Sequence, residues 1–77
     1  MSPRFPRVTG KEMIRFLESR GFKVVRIKGS HHVLKNHEGI TVVVPVHGKE
    51  ELGIGLINKI LSQSHIPAEE FLSFFRR

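Results

Sequence analysis

Apolar residues recur at helical spacing near both ends of this chain, and between them the pattern changes to short β-branched runs broken by Gly. Met13, Phe16 and Leu17, with Ile14 beside Leu17 and the aliphatic stem of Arg20, give residues 10–20 one apolar stripe. Thr9 and Glu12 stand just ahead of it at T-x-x-E spacing, in which hydroxyl and carboxylate satisfy each other's free backbone N–H groups. Gly21 follows the last periodic residue and ends the helix, because Gly takes the left-handed conformation without a Cβ penalty.

Phe22–Lys28 (FKVVRIK) reads as a first strand, closed by Gly29-Ser30. His31–Asn36 and Ile40–Val44 read as two more, joined through His37-Glu38-Gly39. The length of that loop decides which side of the second strand is buried, since a slip of one residue exchanges the faces. A three-residue loop with Gly39 left-handed sets Leu34 opposite Val42 and His32 opposite Val44. His31 and Lys35 then share the outer face with Thr41, Val43, Pro45 and His47. A two-residue Glu38-Gly39 turn would reverse this, and the first register is expected because it buries Leu34 rather than Lys35. Pro45 lacks a donor and argues for a peripheral third strand.

After a polar, Gly-rich stretch, Leu56, Ile57, Ile60 and Leu61 predict a second helix over about residues 53–63. Pro67 opens a short third helix, with Glu69 and Glu70 near its positive end and Phe71, Leu72, Phe74 and Phe75 along one side. Met1–Val8, with Arg4 and Arg7 between prolines, reads as an extended basic arm. The order α-β-β-β-α predicts a single α+β two-layer domain over residues 1–77. Its helices lie on one face of an antiparallel three-stranded sheet, and the other face is wet.

Composition narrows the function. A 77-residue chain excludes a large multi-domain enzyme, and a domain of this size buries only about 60% of its unfolded surface. No apolar run reaches the roughly 20 residues of a membrane span, and the basic start lacks the apolar core of a secretory signal. The absence of Cys removes thiol catalysis and thiolate metal sites and fits a cytoplasmic protein. Thirteen Lys and Arg against seven Glu leave a net charge of +6, which points to an anionic partner, nucleic acid first.

The chemical inventory is short. With no Asp, a Ser-His-Asp triad would need Glu in the third role, and no paired acids stand where a Mg²⁺-dependent nuclease would need them. Five His remain, the side chain able to give and take protons near neutrality. Gly29-Ser30-His31-His32 is the densest spot. Its turn amides can receive a phosphate oxygen, and His31 follows on the outer face beside Lys28 and Lys35. Those are the parts of an RNA-cleaving site. They are also the parts of an ordinary turn followed by two strand His, one packed and one solvated, and His32 on the core side reads as a hydrogen-bonded packing residue.

His47, just past Pro45, is a second acid or an RNA contact on one reading and a loop residue on the other. His37 and His65 receive no chemistry. A zinc site from His31, His47 and a Glu matches no known ligand spacing, so no metal and no cofactor is expected. Arg4, Arg7, Arg15, Arg20, Lys23, Arg26, Lys28 and Lys35 spread over arm, first helix and strands, either as a solvated face or as phosphate contacts. Without Trp or Tyr, recognition of RNA backbone and shape suits the chain better than a stacking platform. The Phe-rich C-terminus reads as core closure, or as a docking patch where it stays exposed.

These segments resemble the HicA-type (YcfA-like) toxins of bacterial and archaeal toxin–antitoxin pairs. The resemblance runs through PRVTGKEMIRFLESRGF, VVRIKGSHHVLKN, VVVPVHGKEEL and GLINKILSQSHIPAEEFL. It implies a fold similar to a double-stranded-RNA-binding domain, ribosome-independent cleavage of mRNA, and neutralisation by a HicB-type antitoxin. It also places the catalytic His in the Gly-Ser-His element, which is His31 here. Some relatives carry their only His one position later, at the place of His32. Since both positions are His in this chain, the register above is what favours His31. The expected activity is an endoribonuclease without a metal, in which His31 acts as acid or base, Lys28 and Lys35 offset phosphate charge, and Arg26, Gly29 and Ser30 hold RNA. The alternative is a non-catalytic double-stranded-RNA-binding module on the same sheet, and a purely structural role in a larger complex is a third reading.

Overall fold

The computed structural model describes residues 5–76, so Arg4 and the rest of the first half of the expected arm lie outside the described residues. The order is α1 (Gly10–Ser19), β1 (Lys23–Lys28), β2 (His31–Lys35), β3 (Thr41–Pro45), α2 (Ile54–Ser64) and α3 (Ala68–Phe74). The three strands form one antiparallel sheet in the order β1-β2-β3, which makes the chain the expected α+β fold with β3 at an edge.

α1 starts and stops where its sequence dictates. Thr9 Oγ1 accepts from the Glu12 N–H at 3.2 Å and Glu12 Oε1 accepts from the Thr9 N–H at 2.9 Å, a complete capping box. At the other end the Phe22 N–H donates to the Leu17 carbonyl at 3.0 Å and the Gly21 N–H to the Glu18 carbonyl at 3.2 Å. That Schellman pair requires the left-handed residue Gly21 provides, at φ +92°. α2 ends in a similar way on His65, which takes φ +60° although it is not Gly.

The β2–β3 hairpin has the expected register, with His32 opposite Val44 and Leu34 opposite Val42. Its three-residue loop is held by the Asn36 side chain, whose Oδ1 accepts from the N–H groups of Glu38 (3.0 Å) and Ile40 (2.9 Å), while Gly39 sits at φ +85°. Between β1 and β2 the ladder slips by one residue, leaving Val25 as a bulge. Arg26 therefore pairs with Val33, and Lys28 with His31. Unbroken alternation from Val24 would have sent Arg26 and Lys28 inward and Val25 and Ile27 outward. The bulge sets both cations on the face that carries His31, while Ile27, paired with His32 on the other face, stays 59% exposed.

Leu34, Val42 and Val44 form the apolar side of the sheet and are buried against Met13, Phe16 and Leu17 of α1 and Ile57, Ile60 and Leu61 of α2. α3 closes this core with Phe71, whose ring meets Phe16 edge-on at 5.4 Å. Pro67 caps α3 from outside the helix rather than occupying its first position. The expected core closure by the C-terminal Phe residues holds for Phe71, whereas Phe74 stays 38% exposed. The Arg20 guanidinium lies over Phe16, 5.2 Å from the ring centroid, and its Nε donates to Glu70 Oε1 at 2.7 Å, joining α1 to α3.

The described part of the arm is held against the core. Val8 is buried, its carbonyl accepts from the Leu52 N–H at 2.8 Å, and Phe5 packs on Phe71. Apolar Phe5 and Val8 bring the arm to the core, and pairing of Thr9 with Glu51 fixes it. α1 in turn approaches β3 closely at Gly10, where a Cβ would stand 2.2 Å from the Pro45 carbonyl oxygen.

Candidate RNA-cleavage site on the outer sheet face

Cross-strand pairing turns the outer face into three rows of three residues. Lys28, His31 and Pro45 make the first row, Arg26, Val33 and Val43 the second, and Lys23, Lys35 and Thr41 the third. Directly opposed residues have Cβ atoms about 4.5–5.5 Å apart, so each row is a set of touching neighbours. All of β1's contribution is cationic, and β3's is apolar or hydroxylic. His31 lies between the two columns and is exposed.

Gly29 and Ser30 form the two-residue turn that leads into His31, with Gly29 at φ +59° as the first central residue of a primed turn requires. The Ser30 carbonyl accepts from the Val46 N–H at 2.7 Å, which ties this turn to the end of β3. Among the described residues, the Gly29 and Ser30 N–H groups donate to no protein acceptor. His32 has the opposite placement from His31. It is half-buried on the core side, with Nδ1 3.4 Å from the Ser30 carbonyl oxygen.

The structure thus brings His31, Lys28, Arg26 and Lys35 together on one open face and separates His32 from them. His47 does not continue the face: β3 ends at Pro45, and the Glu50 N–H donates to the His47 carbonyl at 2.9 Å in the turn that follows. Alternation stops where pairing stops, at Pro45, so it does not carry as far as His47. Arg7, one of the candidate phosphate contacts, is exposed and lies 3.8 Å from Glu51.

Two residues at the site were not singled out from the sequence. A recess of about 260 Å³ runs along the β3 side of His31, and its far wall is α2. Lys59 and Gln63 line that wall. In the sequence they read as the polar face of an amphipathic helix, and only the packing of α2 on β3 brings them to the site. A larger cavity, about 620 Å³, opens between Phe5–Arg7 and Glu51–Ile54 and contains no His. No group of three His or Glu side chains among the described residues is placed to hold a metal ion. No helix among them is long and apolar enough to cross a membrane.

The family model for the HicA toxin of bacterial toxin–antitoxin systems matches residues 10–66, well over half of the chain. The chain belongs to the HicA toxin family. The match begins with the first residue of α1 and ends just past α2, so it takes in every residue of the outer face and of the recess. Among curated proteins none matches. The Phe5–Val8 segment and α3 lie on either side of the matched residues and meet through Phe5 and Phe71 at a centroid distance of 5.7 Å.

Proposed function

We propose that this HicA-family protein is an endoribonuclease that cuts mRNA, with His31 as its acid–base group and the cations of β1 and β2 as its phosphate-binding surface. The observation that carries this reading is the position of His31: an exposed imidazole on the central strand, flanked by Lys28, one row from Arg26, and immediately after a turn with free amides. In the reaction the 2′-hydroxyl attacks the adjacent phosphorus and loses its proton, and the P–O5′ bond breaks as the 5′-oxygen gains one. The products are a 2′,3′-cyclic phosphate and a 5′-hydroxyl. His31 carries one of the two protons and water the other, since a single imidazole serves one transfer at a time. Lys28, Arg26 and Lys35, with the Gly29 and Ser30 amides, offset the charge that grows on the phosphorane oxygens.

His32 has a positioning role in this reading. Its Nδ1 lies 3.4 Å from the Ser30 carbonyl oxygen, the same carbonyl that joins the turn to β3, within the backbone from which His31 projects. A HicB-type antitoxin would inhibit most directly by covering the outer face, withdrawing the His31 imidazole from solvent.

Cleavage of a defined RNA by the purified protein, with and without EDTA, tests the reading. Wild type is expected to cut in both conditions, and His31→Ala to lose about 10²- to 10⁴-fold, the range a positioned acid–base group contributes. Unchanged RNA decay in the His31→Ala protein would remove the site assignment, and loss of cleavage on chelation would require a metal. RNA binding without any cleavage would leave a double-stranded-RNA-binding module.

A further inference from the structure

We propose that the recess between β3 and α2 is a subsite for a single unpaired nucleobase of the RNA, read by Gln63, with Lys59 on the phosphate beside it. This rests on the RNA-cleavage reading and assigns the substrate's base to one side of His31 and its backbone to the other.

The two sides of His31 differ in kind. On the β1 side stand Lys28, Arg26 and Lys23, a column suited to a polyanion. On the β3 side Val43 and Pro45 form an apolar wall, continued on α2 by Leu56 and Ile60. Val43 is 41% exposed, so this wall is open to solvent and to a ligand. Lys59 and Gln63 stand four residues apart on α2, one turn and about 6 Å of axial rise, and so present a cation and an amide side by side at the mouth.

Size selects the ligand. At about 260 Å³ the recess is below the roughly 300–1,000 Å³ of sites for drug-sized molecules and suits one base. Chemistry agrees: apolar walls with a few placed polar groups at the rim receive a flat ring that hydrogen-bonds at its edge. Sequence-specific recognition of RNA works in this way on bases splayed out of single strands. The recess has no Phe, Tyr or Trp, and its one ring is the His31 imidazole, so stacking, which accepts every base, is limited here. The Gln63 amide offers a donor and an acceptor together, the pair that reads adenine through two bonds. An adenine next to the cut phosphodiester would present its N6–H and N7 to this pair.

The test uses the intact protein and a set of oligoribonucleotides that differ at one base beside the cut. Wild type is expected to favour adenine by roughly 5- to 150-fold in kcat/KM, the range of one two-bond contact. Gln63→Leu should flatten that preference, and Lys59→Gln should raise KM while leaving kcat within about twofold. Both residues are exposed, and an unchanged thermal melt establishes that each variant is folded. A readout independent of cleavage is NMR titration of His31→Ala protein with adenosine 3′-monophosphate, expected to move the Val43 and Gln63 signals. If wild type cuts RNA while both variants keep its base preference and KM, the subsite is wrong and the nuclease reading survives. If the NMR shifts fall elsewhere, the subsite is likewise wrong. If wild type neither cuts nor binds RNA, both fall together.

Discussion

Replacing Gly by Ala in a helix ordinarily stabilises it by about 0.8–1 kcal/mol, because Ala loses less backbone freedom on folding. Gly10→Ala is expected to do the reverse. The added Cβ would stand 2.2 Å from the Pro45 carbonyl oxygen and 3.1 Å from both the Pro45 carbonyl carbon and Val46 Cα, all backbone atoms. No side chain can rotate away, so either α1 or the end of β3 must move. Inserting one carbon into a packed site costs about 1–3 kcal/mol, enough to cancel the helix gain and leave a net loss of up to about 2 kcal/mol. In a domain of this size each 1 kcal/mol is about 4–8 °C in Tm. Gly55→Ala is the internal control: it too lies in a helix, and nothing stands within 4 Å of its added Cβ. Thermal denaturation should show Gly55→Ala melting at or above wild type and Gly10→Ala melting below it. RNA cleavage should fall with Gly10→Ala, because the backbone that must yield carries Pro45, the neighbour of His31. A Tm for Gly10→Ala raised as far as that of Gly55→Ala would refute the close approach of α1 to β3.

Leu34→Ala removes a fully buried side chain between the sheet and both helices and should cost about 2–5 kcal/mol, measured by urea denaturation. Thr9→Ala breaks the capping box and should cost about 0.5–2 kcal/mol by the same measurement. His65→Gly should stabilise by up to about 1 kcal/mol, since it removes the left-handed penalty of a non-Gly residue at φ +60° and gives back part of that gain in unfolded-chain entropy. RNA affinity should weaken as salt rises, and losing one phosphate contact by Lys28→Ala or Lys35→Ala should reduce the slope of log K against log salt by about 0.7 for a single strand. A slope unchanged in either variant would remove that residue from the interface.

Much of the fold could be read from local rules because the local and tertiary signals agree. Thr9, Glu12 and Gly21 mark both ends of α1 by backbone chemistry alone, and Leu34 together with Gly39 settles the β2–β3 register that puts His31 outside. What escaped depends on contacts between distant segments. In KVVRIK either phase of alternation is self-consistent, so only pairing with β2 reveals the bulge at Val25. Lys59 and Gln63 carry no mark distinguishing them from solvated helix residues. Gly10 looks like a helix-start residue until Pro45 lies against it. The arm reads as extended and basic because prolines and arginines dominate it, and only the packed structure shows Phe5 and Val8 holding its described part to the core.

The bulge has a consequence for how β1 tolerates change in length. Deleting Val25 outright would leave Lys23, Arg26 and Lys28 in phase with Lys35, Val33 and His31, whereas a rearrangement that draws Val25 into the ladder would turn Arg26 and Lys28 to the face opposite His31. In this strand, then, shortening is the gentler injury and regularity the graver one: the sign of the potential beside His31 is governed by the parity of a single spare residue, with no charged side chain gained or lost.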